Sequence, residues 1–400
     1  MKIIFDEPIY SLEMLRTLSH TAYNGADIGE CLSTGYKIKE GDDENWYREW
    51  LKTAQFTEKI AEKSLTNEHK VSAREAYLRA SNYYRTAEFF IHQDPDDPRI
   101  LELSSKSRKC FQKAGELFQP KFEVLEIPYE NTTLPAYFIK ADDSSQPRPT
   151  IILHTGYDGT GEEMYFDGGA AAVRRDYNCL IFEGPGQGRV IREQKIQFRP
   201  DWEAAITPVV DYLLTRNEVD PDRIALYGFS FGGYLAPRAV AFEHRIQVCI
   251  ANGGIYDYLE PQFASMQLNR EQGMNSILNS PEEVDKIVYD IMKTNSQIRW
   301  AMMDGMWKFG AETPHELFLK ESEYNLIDCV NQIQCQMLIV DSEKDQFFAG
   351  QAKKLYDALQ SPKKFMLFTV EESAEEHCQY GASSLSHQKI YDWLDKVFEI

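Results

Sequence analysis

The chain has 400 residues, 43% hydrophobic and 26% charged, with a formal net charge of −20 at pH 7. This length exceeds what one compact core usually holds, so we expect a large domain joined to a smaller one. The negative charge repels nucleic acid and anionic membrane surfaces, and neither is an expected partner. Because the N-terminus has no signal-peptide pattern and no long apolar run occurs, we expect a cytoplasmic protein without a transmembrane helix.

Helical patterns dominate the first part of the chain, from about residue 44 to 118. One predicted helix begins at Ser72, with Glu75 three residues later in the pattern of a capping box. Its face of alanines and tyrosines would let a neighbouring helix approach closely. We therefore assign residues 1–120 to an N-terminal helical segment, which would equally suit a homodimer contact.

Strand patterns begin after this segment with a predicted β-hairpin, whose turn lies at Glu130-Asn131. Apolar strands then alternate with helices, which is typical of an α/β fold with a mostly parallel, doubly wound sheet. Residues 256–330 interrupt this alternation with helical patterns rich in Met, Trp and Asn. An insertion after the sixth strand would lie over the strand ends as a helical cap, and 121–255 with 331–400 would form the catalytic domain.

The strongest local motif is GFSFGG at Gly228–Gly233, which fits G-x-S-x-G and stands between a strand and a helix. Small residues are needed because the backbone turns sharply there, and the helix N-terminus behind the turn favours developing negative charge. A tight turn without chemistry is the alternative interpretation. The placement favours a nucleophile elbow with Ser230 as the nucleophile.

A serine needs a base within hydrogen-bond reach. His377 follows the last predicted strand, where this topology places the base. We favour it over His387, which begins the closing helix, and over His154, which ends a strand and is interpreted as structural.

The base needs a carboxylate to orient it, and the loop after the preceding strand offers several. Asp345 lies deeper in this loop than Asp341 and is favoured because it must reach a neighbouring loop. Asp341 and Glu343 remain alternatives. Two backbone N–H groups are expected to form an oxyanion hole, those of Phe231, after the nucleophile, and of Tyr157, after the strand PTIILH.

The sequence carries no signature of a cofactor or metal. The turn EGPGQG at Glu183–Gly188 lacks the Lys-Ser/Thr of a P-loop and the spacing of a dinucleotide fingerprint, and is interpreted as a structural turn beside the active site. No His, Cys, Asp or Glu cluster has metal-ligand spacing. The seven cysteines are scattered without a CxxC pair, as buried reduced thiols would be.

These motifs resemble the α/β-hydrolase superfamily over roughly residues 121–400, in GFSFGG, in EGPGQG and in the chain order Ser, Asp, His. A narrower resemblance is to the group that contains 2,6-dihydroxypseudooxynicotine hydrolase and the fungal heptaketide-shortening hydrolase. It is carried by three segments, VSAREAYLRASNYYRTAEFF, GYDGTGEE and AEEHC. This resemblance implies that the N-terminal helices pack as part of the cap, and that carbon–carbon cleavage of β-dicarbonyl substrates occurs in the group. It places the triad on Ser230, Asp345 and His377.

We therefore expect a serine hydrolase that acts on a small-molecule ester or β-dicarbonyl through an acyl-enzyme. A prolyl-oligopeptidase-like peptidase is one alternative, although the N-terminal segment is too short and helical for a β-propeller. A non-catalytic binding module is another, although such proteins usually lose a triad member. Asp257 and Glu260, just past the sixth strand, are weak candidates to face the cleft. Several apolar residues of the cap could line a pocket, but we expect most of them to pack the cap onto the sheet instead. They are Met266, Met274, Trp300, Met302, Met303, Met306 and Trp307.

Overall fold

A single eight-stranded sheet organises the protein, which is described over residues 1–400 by a computed structural model. The strands are β1 Glu123–Tyr129, β2 Thr132–Ile139, β3 Arg148–His154, β4 Asn178–Phe182, β5 Val219–Phe229, β6 Val248–Asn252, β7 Gln336–Ser342 and β8 Lys363–Phe368. Their order is β1-β2-β4-β3-β5-β6-β7-β8. β2 pairs antiparallel with β1 and β4, and every other pair is parallel. The predicted mostly parallel sheet is confirmed.

Five α-helices precede the sheet in the chain, and the others alternate with the strands or form the insertion before β7. They are α1 Pro8–Ser19, α2 Ile28–Gly35, α3 Asp43–Thr66, α4 Lys70–Glu88, α5 Pro98–Gly115, α6 Gly161–Met164, α7 Ala170–Val173, α8 Glu203–Leu213, α9 Gly232–Val240, α10 Glu260–Ser265, α11 Arg270–Asn279, α12 Pro281–Met292, α13 Ser296–Phe309, α14 Pro314–Glu321, α15 Gln351–Ala358 and α16 Ser383–Phe398. None of them is long and apolar enough to cross a membrane.

Two local predictions have opposite outcomes. The hairpin turn at Glu130-Asn131 is confirmed, because Tyr129 pairs with Thr132 across it. The capping box at Ser72 is wrong, because α4 begins at Lys70 and its N-cap residue makes no side-chain hydrogen bond. The connection between α3 and α4 is short and contains Glu68, whose φ is positive. The helix therefore begins two residues before Ser72.

Both faces of the sheet are buried, as the pleat of β5 shows. Tyr227 and Phe229 pack into the core that contains α3, α4 and α16, whereas Ile224 and Leu226 pack into the core that contains α8, α9 and the insertion. Side chains alternate along a strand, so one strand serves both cores. The N-terminal helices therefore share a core with the sheet.

The insertion between β6 and β7 contains α10–α14 and packs against the N-terminal helices. Trp300 stacks on Phe89 with ring centroids 4.2 Å apart, and its Nε1–H donates to the Phe89 carbonyl at 2.9 Å. Trp300 and Met302 are buried, while Met266 is 46% exposed. Trp300 and Met302 pack in the cores, and Met274, Met303, Met306 and Trp307 pack against them, as predicted for most members of the apolar set, whereas Met266 does not.

Candidate active site

Ser230 lies at the turn between β5 and α9, with a backbone φ of 61° that few residues other than glycine adopt. A Cβ on Gly228 would lie 2.0 Å from the Gly232 carbonyl oxygen, and one on Gly233 would lie 2.3 Å from the Gly253 carbonyl oxygen. The glycines are therefore required by backbone contacts. This turn presents the half-buried Ser230 at the carboxyl end of the sheet.

His377 lies in the loop between β8 and α16, and both of its ring nitrogens have partners. Nε2 is 2.8 Å from Ser230 Oγ, and Nδ1 is 2.6 Å from Asp345 Oδ2. His377 and Asp345 are 4% and 7% exposed. The structure thus brings the three predicted side chains together in one chain of hydrogen bonds.

Asp345 is oriented by its own loop, because its Oδ1 accepts hydrogen bonds from the Phe347 and Phe348 N–H groups at 2.8 and 3.0 Å. The two alternative acids have other partners. Asp341 accepts from the N–H of the next residue, and Glu343 accepts from the N–H of Val370. Neither bonds to an imidazole.

The buried environment couples the charges of Asp345 and His377. Burial raises the pKa of Asp345, but the His377 imidazolium and the backbone donors outweigh it and hold the pKa below its usual value. Burial lowers the pKa of His377, but Asp345 outweighs it and raises the pKa well above 6.5. Burial and the charge of Asp345 raise the pKa of Asp341 to about 6. The pair stabilises an imidazolium, the species formed when a hydroxyl gives up its proton.

The two rival histidines, His387 and His154, form hydrogen bonds with groups other than Ser230. The ring of His387 bonds to the Tyr23 hydroxyl and the Asp167 carbonyl, both at 2.9 Å. The Nδ1 of His154 lies 3.0 Å from the Thr155 carbonyl oxygen. Burial lowers the pKa of each to about 4. No group of three or more His, Cys, Asp or Glu side chains is arranged to hold a metal ion.

The loop that follows β3, residues 155–160, passes directly against the serine turn. A Cβ on Gly156 would lie 2.5 Å from the Phe231 nitrogen and 2.6 Å from the Phe229 carbonyl oxygen. The N–H groups of Tyr157 and Phe231, predicted as oxyanion donors, make no hydrogen bond within the protein.

Aromatic side chains surround the serine turn. The Phe231 ring lies 4.8 Å from the ring of Tyr258 and 5.4 Å from that of Tyr324. On the other side, the Phe347 ring lies 4.8 Å from the imidazole of His377. Further rings from the sheet domain and the insertion pack beside these, namely Tyr157, Phe198, Phe309 and Phe348.

Sequence reasoning missed two buried ionic groups behind the site. In the first, Arg16 and Arg85 from α1 and α4 contact the carboxylates of Glu13, Asp158 and Glu163. Asp158 belongs to the β3 loop, and Glu163 caps the helix that follows it. The second joins the insertion to the N-terminal segment through Glu88, His92, Arg192, Asp304 and Lys308. The only signal in the sequence was that Arg85 and Glu88 lie close to aromatic residues, in YYRTAEFF.

Comparison with known proteins shows what the chain is similar to. A family model described as esterase FrsA-like matches residues 19–279. The chain is 33% identical to the 20-hydroxy-prefusarin hydrolase of Gibberella moniliformis, over 100% of this chain and 99% of that protein. It is 32% identical to the hydrolase acrC of Aspergillus aculeatus, over 99% and 98%. The crystal structure of 2,6-dihydroxy-pseudo-oxynicotine hydrolase superposes with a TM-score of 0.74 at 21% identity, covering 94% of each chain.

The fold and the resemblance predicted from the sequence are therefore confirmed. The mostly parallel sheet with its flanking helices is an α/β-hydrolase fold, shared with a solved hydrolase over nearly the whole chain. Full-length fungal relatives are hydrolases. This chain belongs to the FrsA-like esterase family and is an enzyme of the α/β-hydrolase superfamily.

Proposed function

We propose that this enzyme is a serine hydrolase in which Ser230 is the nucleophile, His377 the general base and Asp345 the residue that orients it. The observation that carries the proposal is the unbroken chain of hydrogen bonds, 2.8 Å from Ser230 Oγ to His377 Nε2 and 2.6 Å from His377 Nδ1 to Asp345 Oδ2. This arrangement fixes the imidazole tautomer with its free lone pair toward the hydroxyl.

The first chemical step forms a bond between Ser230 Oγ and the carbonyl carbon of the substrate. His377 Nε2 takes the hydroxyl proton, and the carbonyl oxygen becomes an oxyanion. The free N–H groups of Tyr157 and Phe231 would bind this oxygen. Donors fixed in advance beside a water-excluded centre supply a large share of such catalysis.

In the second step the tetrahedral intermediate collapses and the bond to the leaving group breaks. His377 returns the proton, to an alkoxide in an ester or to an enolate carbon in a β-dicarbonyl. The product retained is an acyl-Ser230 ester. Water then attacks it with His377 again as base, which releases the acid and restores the hydroxyl.

The surroundings of Ser230 support a small organic substrate. Aromatic rings, including those of Tyr157, Phe231 and Tyr258, pack together beside the serine turn, which supports an apolar or conjugated substrate. The Gibberella moniliformis relative at 33% identity is named as a hydrolase of 20-hydroxy-prefusarin. Ester and β-dicarbonyl cleavage need the same three side chains, so both reactions belong to the proposal.

The test combines a fluorophosphonate label with a substrate panel of acyl esters, β-diketones and aminoacyl anilides. The label should react with the wild type and with Ser276→Ala, a control on an exposed cap helix, but not with Ser230→Ala. Turnover of esters or diketones should disappear in Ser230→Ala and His377→Ala. Labelling that survives Ser230→Ala, or turnover of anilides alone, would contradict the proposal.

A further inference from the structure

Three successive backbone carbonyls of the β3 loop accept hydrogen bonds from buried side chains. Gln187 Nε2 donates to the Thr155 oxygen at 2.6 Å and to the Gly156 oxygen at 3.3 Å. Lys308 Nζ donates to the Tyr157 oxygen at 2.8 Å. The segment that carries the proposed oxyanion donor Tyr157 is thus bound by two side chains, Gln187 and Lys308, which the mechanism above does not use.

Gln187 comes from the EGPGQG turn after β4 and is 1% exposed. Its Oε1 accepts the Gly184 N–H at 3.1 Å, which fixes the amide so that its NH₂ group faces the β3 loop. A Cβ on Gly184 would lie 2.4 Å from the Trp202 ring, so the turn itself is tightly constrained. The turn therefore presents one side-chain donor to the loop.

Lys308 comes from cap helix α13 and is fully buried. Asp304, one turn earlier on the same helix, holds its ammonium at 2.8 Å, and His92 of the N-terminal segment lies 2.9 Å from the other Asp304 oxygen. Burial lowers the pKa of Lys308 despite the neighbouring carboxylates. The Lys308 ammonium thus forms an ion pair with Asp304 and donates a hydrogen bond to the Tyr157 carbonyl.

Helix α13 also holds the far end of Tyr157. The Tyr157 hydroxyl donates to the Ala301 carbonyl at 2.8 Å. A Cβ on Gly305 would lie 2.4 Å from that hydroxyl, so a glycine is needed where the helix crosses the ring. Tyr157 is therefore fixed to the cap at both its side chain and its carbonyl.

The direction of an N–H group follows from the carbonyl of the same peptide unit, because a trans peptide is planar and its C=O and N–H point opposite ways. The Gly156 carbonyl and the Tyr157 N–H share one unit, and the Gly156 carbonyl is bound by Gln187. Lys308 fixes the next unit, so the Tyr157 backbone is constrained on both sides of its Cα.

We propose that Gln187 and Lys308 are positioning residues that orient the Gly156–Tyr157 peptide so that its N–H binds the oxyanion. The cap is then part of the catalytic assembly, because α13 supplies Lys308. The proposal rests on the function proposed above, and it assigns a role to the EGPGQG turn beyond that of a structural bend.

The test compares Gln187→Leu and Lys308→Met with the wild type in steady-state ester hydrolysis. Loss of a whole oxyanion donor costs about 10²–10³-fold in kcat, and a misdirected donor costs less. We therefore expect kcat to fall by roughly 10–100-fold in each variant, with KM within about twofold.

Two controls should keep full activity. Lys320→Met removes a cap lysine that also binds backbone carbonyls, and Gln194→Leu removes a glutamine that binds the Thr133 carbonyl.

A second readout separates positioning from a general loss of structure. The affinity for a trifluoromethyl ketone, which forms a tetrahedral adduct with the serine, should fall by the same factor as kcat. Exhaustive fluorophosphonate labelling should still titrate every molecule, because the active fraction is unchanged. An active fraction that falls in proportion to kcat would overturn the proposal.

Lys308→Met leaves Asp304 without its ammonium, so the double variant Lys308→Met/Asp304→Asn is made beside it. If the single variant does not fold, the double variant tests the role of Lys308 through the same two measurements, kcat and the affinity for the trifluoromethyl ketone. Full kcat in the variants, with Ser230→Ala inactive, would refute the positioning role and leave the serine mechanism standing. Activity in Ser230→Ala would instead refute the proposed function itself.

Discussion

Replacing Arg85 with methionine removes one of two buried arginines that neutralise two buried carboxylates, Glu13 and Glu163, and the partly buried Asp158. The Arg85 guanidinium lies 2.7 Å from Glu13 and 2.8 Å from Glu163, and reaches Asp158 at 3.4 Å. Methionine keeps an apolar stem of similar length, so the change is mainly one of charge. In the variant, Arg16 alone faces all three carboxylates.

The magnitude follows from the burial of this group. Removing one partner of a buried ion pair costs roughly 3–5 kcal/mol, because the other charge stays buried. The unfolding entropy is about 2.1 cal/mol/K per residue, or roughly 0.84 kcal/mol/K for 400 residues. We therefore expect Tm to fall by about 4–6 °C at pH 8.

The assay is scanning calorimetry at pH 8 and pH 5. Burial raises the pKa of Asp158, but Arg16 and Arg85 outweigh it and hold the pKa below its usual value. A lowered carboxyl pKa stabilises the fold above the unfolded pKa of about 4, so the wild type keeps this contribution at both pH values. In Arg85→Met the pKa of Asp158 loses one of the charges that lower it, so Asp158 protonates more readily and the difference in Tm from the wild type should shrink at pH 5.

The matched control is Arg99→Met, which breaks more exposed pairs with Glu44 and Asp97. Exposed pairs contribute at most about 1 kcal/mol, so Tm should change by roughly 1 °C. A loss in Arg85→Met no larger than in this control, or one equal at both pH values, would refute the reasoning.

The remaining predictions concern activity. Asp345→Asn should lower kcat by about 10³–10⁴-fold with KM little changed in steady-state assays, because the tautomer of His377 is no longer fixed. Unchanged kcat would contradict this role. The acidic limb of the kcat/KM profile should have its midpoint above 6.5, because burial, which lowers the pKa of His377, is outweighed by Asp345. That midpoint should move to lower pH in Asp345→Asn, and a wild-type midpoint below 6.5 would count against the pairing. Gly156→Ala, whose Cβ would lie 2.5 Å from the Phe231 nitrogen, should lose at least about 100-fold in activity. Gly29→Ala, whose nearest contact is 3.2 Å, should lose none, and equal activities would contradict the close approach at Gly156.

The serine turn could be predicted from the sequence because its constraints are local. Gly228, Ser230 and Gly232 lie within five residues, and their spacing reflects backbone contacts inside one turn. Asp345 and His377 followed from topology, since the carboxyl ends of parallel strands meet at one edge of the sheet. Position after the last strand favoured His377 among the histidines, whereas Asp345 was favoured over Asp341 and Glu343, which follow the same strand, only because it lies deeper in the loop.

The buried ionic groups could not be predicted, because a charged residue in a sequence normally indicates a solvated surface. Lys308 and the Tyr157 carbonyl that it binds are 151 residues apart. Only the packing of the cap on the sheet brings them together, and no local pattern encodes that distance. The early start of α4 has a similar cause, because the α3–α4 connection outweighs the propensity of Ser72 to cap a helix.

The most direct test of the central claim is to trap the acyl-enzyme. A slowly hydrolysed p-nitrophenyl ester is mixed with the enzyme, quenched in acid, and the digest is analysed by mass spectrometry. We predict a burst of about one nitrophenol per active site and an acyl group on the peptide that contains Ser230. Turnover without a covalent adduct, or an adduct on Cys378, whose sulfur lies 3.4 Å from His377 Nε2, would contradict it.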